Sequence, residues 1–337
     1  MTQNPFILSD PRNYLDAALR RFGTPDGGWL DLSTTMTPFP YPAPPIDPSL
    51  LTRPPCLQAE EALRQAAKAR YGVADGGHVA ILPGSRAAMG LLPRIWTGAR
   101  VAVVGAWHDD LVRAWERAGH RVGVFETLER AADADIVWLA NPDPVDGRRH
   151  APANLAGLAR KLAERGGILV IDESLADLCP EESAAGLAGP GLLVLRGVDS
   201  FFGLAGLGLA FAIADAPVAR LLRQTTEGWS ASAPALAIGR MVLDDLEWSR
   251  RAIGHLSAEA SELDRLLVRA GLAVAGGTAL FRLASAPRAW ALYEYLGQRG
   301  ILVRAFASAP RWLRLSLPPD EAGRERLARA LADWRGG

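Results

Sequence analysis

Lysine is nearly missing from this chain: Lys68 and Lys161 are the only two among 37 basic residues, and the rest are arginine. Chemistry that needs a lysine amine therefore has two candidates. Lys68 ends the run Ala59-Glu-Glu-Ala-Leu-Arg-Gln-Ala-Ala-Lys68, made of strong helix formers, and Lys161 lies in Leu155-Ala-Gly-Leu-Ala-Arg-Lys161, a helical stretch shortly before a strand. Apolar residues recur around both at helical spacing, which puts each on the solvated face of an outer helix. A lysine that forms an imine needs a desolvated or cation-flanked pocket to lower its pKa, and neither position offers one.

Other scarcities exclude further classes. The two cysteines, Cys56 and Cys179, are far apart and show no metal-ligand spacing, so reduced, buried thiols are expected. Five histidines form no H-x-x-x-H or H-E-x-x-H pair. No run approaches the ~18 uninterrupted apolar residues of a membrane span. Met1-Thr-Gln-Asn-Pro-Phe6 has no basic segment followed by an apolar one, so no signal peptide and a cytoplasmic protein are expected. Acidic and basic residues balance at 37 each, leaving no global field to attract nucleic acid or an anionic membrane.

What is present is ordinary globular material: 337 residues, 49% hydrophobic and 22% charged, enough for a large core and two lobes. The first 55 residues are rich in proline and turn formers, notably Thr37-Pro-Phe-Pro-Tyr-Pro-Ala-Pro-Pro45. They predict an extended arm without a helix. From Leu57 helices alternate with short apolar strands at His78–Leu82, Arg100–Val104, Arg121–Phe125, Asp135–Ala140, Ile168–Ile171 and Leu192–Leu195. Runs such as Val101-Ala-Val-Val104 are apolar on both faces, as strands of a helix-covered parallel sheet should be, which predicts a doubly wound α/β lobe. Beyond Pro217 the pattern changes: a nearly continuous helical stretch over Ala235–Val268, interrupted near Gly254, then strands at Leu280–Leu283, Ile301–Arg304 and Trp312–Leu315 with helices around them. The expected division is an arm over residues 1–50, a large α/β lobe over 51–230 and a small α+β lobe over 231–337.

The segment Leu195-Arg-Gly-Val-Asp-Ser-Phe-Phe-Gly-Leu-Ala-Gly-Leu-Gly-Leu-Ala210 carries a resemblance. It is similar to the lysine loop of fold-type I pyridoxal-phosphate (PLP) enzymes, L-R-S-F-G-K-x-F-G-L-A-G-L-R-L-G. Without gaps, Ser200 stands at the lysine, Gly208 at an arginine that grips the cofactor phosphate, and Gly197 at a serine that helps it. Further landmarks resemble one branch, the threonine-phosphate decarboxylases of cobalamin biosynthesis, relatives of histidinol-phosphate aminotransferases. Gly28-Trp-Leu-Asp-Leu-Ser-Thr34 matches W-L-D-L-S-T, and Leu82-Pro-Gly-Ser-Arg-Ala-Ala-Met-Gly-Leu-Leu-Pro-Arg94 matches P-G-T-Q-x-x-x-x-L-L-P-R. Trp229-Ser-Ala-Ser-Ala-Pro-Ala-Leu236 matches W-x-V-S-x-P-A-L, and Ala309-Pro-Arg-Trp-Leu-Arg314 matches A-P-x-W-L-R. Five landmarks in order over ~300 residues are hard to obtain by chance.

The resemblance implies a role for each matched position. Gly84-Ser85-Arg86 opens a helix and stands at the cofactor's phosphate cup, while Ser85 read alone is an ordinary N-cap. Asp172 matches the carboxylate that holds the pyridine nitrogen protonated, and Asp at a strand end is also a common turn residue. His108 falls where the family stacks an aromatic on the pyridine, though a lone histidine in a βα loop is also an ordinary solvated residue. Pro144 replaces an asparagine that bonds the cofactor's phenolic oxygen, so that contact is lost. Arg314 matches the arginine that forks a substrate α-carboxylate. The resemblance thus implies a fold-type I homodimer whose PLP site is largely dismantled. Three functions follow from it. The first is a ligand-binding or partner subunit in cobalamin biosynthesis, taking threonine phosphate or aminopropanol phosphate or serving the enzyme that attaches the aminopropanol arm by an amide. The second is a lysine-independent PLP or pyridoxamine-phosphate enzyme with His108 moving protons, and the third is the decarboxylation itself.

Overall fold

The protein is described by a computed structural model covering residues 14–73, 78–105, 109–226 and 230–334. His108 and Trp229 lie outside the described residues. The chain divides into two compact units, one of Pro40–Asp143 and Arg149–Arg250, the other of the described residues up to Phe39, Pro144–Arg148 and those from Arg251 onward.

The larger unit is built on seven strands: β2 (Val79–Leu82), β3 (Arg100–Val104), β4 (Arg121–Phe125), β5 (Ile136–Ala140), β6 (Ile168–Asp172), β7 (Leu192–Gly197) and β8 (Ala210–Ile213). Their order is β2-β8-β7-β6-β5-β3-β4, parallel from β7 to β4, with β8 antiparallel to both its neighbours. The doubly wound architecture expected from the apolar runs is the one observed. The expected pattern contains no strand at β8, because Ala210-Phe-Ala-Ile213 is four residues long and leaves a glycine-rich loop. Ile168-Leu-Val-Ile171 and Ile136-Val-Trp-Leu139 are buried throughout, and Trp138 packs at 6.4 Å, edge to face, on Trp115 of the helix Asp109–Arg117. Burying each such large apolar side chain stabilises the fold by roughly 1.5–3 kcal/mol.

The smaller unit holds a five-stranded sheet, β1 (Leu30–Leu32), β11 (Ile301–Ala305), β12 (Trp312–Ser316), β10 (Phe281–Ser285) and β9 (Ala273–Thr278), in that order. Strand β1 pairs parallel with β11, and the other pairings are antiparallel. Three expectations need correction. The N-terminal region does contain a helix, α1 (Tyr14–Phe22), because its prolines concentrate later in the chain and Tyr-Leu-Asp-Ala-Ala-Leu-Arg-Arg-Phe has none. The long helical stretch breaks at Asp245 between the helices Ala233–Asp244 and Leu246–Arg269, and Gly254 lies inside the second. Asp245 leaves helical geometry (φ −87°, ψ 77°) and its carboxylate accepts from Trp248 N at 2.8 Å, whereas one glycine in a 24-residue helix costs only about 1 kcal/mol. Cys56 is exposed at a helix N-cap, and only Cys179 is buried.

Lys68 is half-buried on the helix Leu57–Arg70 and Lys161 is exposed on the helix Pro152–Ala163. Among the described residues no helix is long and apolar enough to cross a membrane.

Candidate active site

The parallel strands of the larger unit deliver their C-terminal ends to one edge of the sheet, the edge at which α/β proteins collect their functional loops. Asp172 is the last residue of β6, in register with Ala140 and Leu195. Its buried carboxylate turns back on the chain, and Oδ1 accepts from Ser174 N at 3.0 Å and Ser174 Oγ at 2.5 Å. That is an Asx-type turn, and it fixes the carboxylate at the strand exit.

The adjoining Glu173 belongs to a buried ionic network. Arg196, 1% exposed on β7, donates Nη1 to Glu173 Oε2 at 3.0 Å and places Nη2 2.8 Å from Asp177 Oδ2. Arg70 Nη2 meets the other oxygen of Asp177 at 3.1 Å, and the Arg196 guanidinium lies 4.5 Å over the Tyr71 ring. Glu173 also accepts from Ser183 Oγ at 2.5 Å and Ala184 N at 2.6 Å. Two cations thus face two anions. Burial acts to lower the Arg196 pKa, but Asp177, Tyr71 and Glu173 outweigh it and raise it above its ordinary value. Burial, and then Asp177, push the Tyr71 hydroxyl above its usual range. The network ties the ends of β6 and β7 together directly beside Asp172 and the Ser200 loop.

Three turns converge on the start of α3 (Ser85–Leu91). Gly84 is its N-cap at φ 102°, so Ser85 is the first helical residue and not the cap. A side-chain carbon at Gly84 would stand 3.4 Å from Gly208 Cα, which shows how closely the lysine-loop counterpart passes the helix start. A side-chain carbon at Gly197 would collide with Ser85 Oγ and with Asp199 Oδ1. Asp199, partly buried, accepts from Ser200 N at 3.1 Å. Ser200 itself is buried, at 7% exposure. The structure therefore brings Gly84, Ser85, Gly197, Ser200 and Gly208 to one place. Arg86 points elsewhere, exposed and 3.8 Å from Asp110. Gly208 is left-handed (φ 60°, ψ 53°), a conformation disfavoured for an arginine.

Asp199 is the residue that the sequence patterns pass over. The signal was present: the family wording has glycine there, and a carboxylate replaces it. Burial raises its pKa above the ordinary carboxylate value of 3.8, and the neighbouring charge of Asp172 raises it further. The native state then holds a proton that the unfolded chain has released, so stability falls as pH rises from 3.8 through the native value and levels off above it. Asp199→Asn should remove that dependence. Denaturation midpoints of variant and parent should diverge in the variant's favour as pH rises above 3.8, and parallel curves would contradict the assignment.

In the smaller unit Arg314 is buried on β12, opposite Leu283 and Arg304. Its Nη2 donates to Ser33 O at 2.9 Å, its Nη1 to Pro144 O, and its guanidinium lies 5.3 Å from the Phe281 ring centroid. The landmark after β1, the loop at Pro144 and the A-P-x-W-L-R strand are thus joined by one side chain. The loop is held on its other side by Gly277 N donating to Asp146 O at 2.8 Å. Among the described residues, no three histidine, cysteine or acidic side chains are placed to hold a metal.

The chain matches the family Aminotransferase class I and II over residues 55–331, and it belongs to that family. Within it, the chain is 38% identical over 325 residues to the threonine-phosphate decarboxylase of Pseudomonas aeruginosa, covering 95% of this chain and 96% of the relative. It is 40% identical over 327 residues to the threonine-phosphate decarboxylase of Sinorhizobium sp, covering 94% and 95%. Among solved structures, histidinol-phosphate aminotransferase from Sinorhizobium meliloti in complex with pyridoxal-5'-phosphate superposes with a TM-score of 0.80 at 21% identity, over 98% of this chain and 96% of that one. L-threonine-O-3-phosphate decarboxylase from Porphyromonas gingivalis gives 0.72 at 19% identity, over 90% and 98%. The fold is that of fold-type I PLP enzymes.

Proposed function

We propose that this chain is a degenerate relative of the threonine-phosphate decarboxylases that acts in the cytoplasm in building the aminopropanol arm of cobalamin. It works as a homodimeric ligand-binding or partner subunit and not as a decarboxylase. The observation that carries this reading is the buried Ser200 at the lysine position, with a carboxylate beside it. A hydroxyl cannot tether an aldehyde as an amine does. Neither Lys68, half-buried in the last turn of the helix Leu57–Arg70, nor Lys161, exposed on the helix Pro152–Ala163, has the desolvated or cation-flanked setting that an imine-forming amine needs. The cup does not fit the cofactor of the relatives: Gly208 and Gly197 offer no side-chain donors, and Asp199 adds negative charge where a phosphate would need cations. Each lost charge-assisted contact removes roughly 1.5–3 kcal/mol.

The ligand class is an amino-acid phosphate or aminopropanol phosphate, with Arg314 as the group that takes a carboxylate. A partner of matching chemistry is the enzyme that joins the aminopropanol unit to its acceptor through an amide. Asp172 and the helix start at Gly84-Ser85-Arg86 are inherited parts of the cofactor site. The identity to two decarboxylases over nearly the whole chain supports a second reading, an active PLP-dependent threonine-phosphate decarboxylase or aminotransferase, or a lysine-independent enzyme that uses PLP or pyridoxamine phosphate with His108 moving protons.

Purified protein separates the two. The first reading expects the protein to retain neither PLP, seen by its visible absorbance, nor pyridoxamine phosphate, seen only in the near ultraviolet, and retention of either would favour the second. The ligand is tested by calorimetry with threonine phosphate. Arg314→Ala should weaken binding by about 2 kcal/mol, as expected for a charged hydrogen-bonded pair. A parent protein that binds none, or a folded variant with unchanged affinity, would remove Arg314 from the site.

A further inference from the structure

We infer that Asp199 is the residue that closes the cup at the start of α3 to phosphate-bearing ligands, by placing a carboxylate beside Ser85 Oγ on the space next to Gly197. The inference rests on reading the cup as an inherited phosphate site. Three observations support it. A side-chain carbon at Gly197 would strike both Ser85 Oγ and Asp199 Oδ1, so the two oxygens flank the same small space. Ser200 N, a main-chain donor of the lysine-loop turn, is directed to Asp199 Oδ1 at 3.1 Å and is satisfied internally. The charged neighbour that acts most on Asp199 is Asp172, a second carboxylate, so the local field is negative.

Burial and Asp172 shift the ionisation of Asp199 to higher pH, and once it is ionised the physical consequence is charge exclusion. Asp199 takes the Ser200 N–H for itself and, when ionised, repels a phosphate dianion at contact range, where the interaction in a partly buried site is strong. Glycine at the same position, as in the family wording, leaves both space and donors free. The replacement is thus the opposite of a passive loss. Gly197 and Gly208 take ligands away from a phosphate, and Asp199 opposes one.

The test titrates PLP and pyridoxal in parallel, so that the phosphate is the only difference between probes. Tryptophan fluorescence reports binding, and thermal melting of each protein confirms that it is folded. The parent should bind the two probes alike. Asp199→Gly should gain about tenfold or more for PLP with no matching gain for pyridoxal, and Asp199→Asn, which removes charge but keeps volume, should recover part of it. Folded Asp199→Gly and Asp199→Asn proteins that show no phosphate-specific gain would overturn the role of Asp199 and leave the degenerate-site proposal standing. A parent that already prefers PLP over pyridoxal by that margin would overturn both. Inorganic phosphate competing with PLP only in Asp199→Gly supports the cup as the place of binding.

Discussion

Arg196→Met should lower the stability of the larger unit by about 3–5 kcal/mol, the effect expected when one partner is removed from a buried ionic network. The guanidinium reaches Glu173 at 3.0 Å and Asp177 at 2.8 Å with side chains that are all but fully buried. Methionine fills the volume and leaves two carboxylates facing each other out of water, with Arg70 bound only to Asp177. Replacing Glu173 by glutamine in the same chain should recover part of the loss, because the uncompensated charge is then reduced. A surface pair provides the contrast. Arg100 and Asp135 meet at 2.8 Å with roughly half of each side chain exposed, and Arg100→Met should cost far less than Arg196→Met. Denaturant midpoints measured on the four proteins give the ranking. Equal losses for Arg196→Met and Arg100→Met would show that burial does not set the value of these pairs here. The network adjoins the candidate site: Glu173 follows Asp172, and Arg196 precedes Gly197. A loss of stability at Arg196 should therefore be accompanied by greater mobility of the Ser200 loop, visible as faster amide exchange there.

The larger sheet was legible in the sequence because a parallel strand covered on both faces has to be apolar throughout. Ile168-Leu-Val-Ile171 and Val101-Ala-Val-Val104 satisfy that with almost no ambiguity, and their bounds fall within a residue of the observed strands. Strand β8 was not legible, since a run of only four apolar residues after a glycine-rich loop is too short to show a periodicity. Strand β9 fails for the same reason: Ala273-Val-Ala-Gly-Gly-Thr278 is paired by the backbone of β10, with glycines where a pattern would be sought. The helix α1 was obscured by averaging proline content over a region whose prolines are unevenly placed. Of the candidate site, the order of landmarks and the identity of the lost residues could be read directly. The internal partners could not. Nothing in the A-P-x-W-L-R pattern says that Arg314 donates to the carbonyl of Ser33, a contact 281 residues apart in sequence. Nor does spacing reveal that Gly197 has no room for a side chain. Long-range closure of this kind is a property of packing, which the one-dimensional pattern does not encode.

Ser200→Lys alone should release no carbon dioxide from threonine phosphate above the parent's background, even with added PLP. The introduced amine would sit next to Asp199, with Asp172 acting on the same space. Carboxylates at that range favour the ammonium form, and covalent attachment to an aldehyde needs the neutral amine. The rest of the cradle fails independently. An arginine at 208 would have to adopt φ 60°, a strained conformation costing of order 1–3 kcal/mol unless the turn shifts. A serine at 197 collides with Ser85 and Asp199 as they stand. Pro144 has no N–H, and its carbonyl is already engaged by Arg314. Because misplacement of reacting groups by about 1 Å can cost 10²-fold, partial repair of several contacts is not expected to sum to activity. The order of repair matters: Asp199→Gly clears one of the two atoms that obstruct position 197 and removes the charge that would hold the amine protonated. The combination Ser200→Lys with Asp199→Gly should therefore retain PLP through borohydride reduction, with mass spectrometry placing the adduct at position 200, where the single variant gives little or none. Decarboxylation should still require Gly208→Arg, Gly197→Ser and Pro144→Asn in addition. Turnover by Ser200→Lys alone would mean that the lysine was the only missing part and that Asp199 does not control the site.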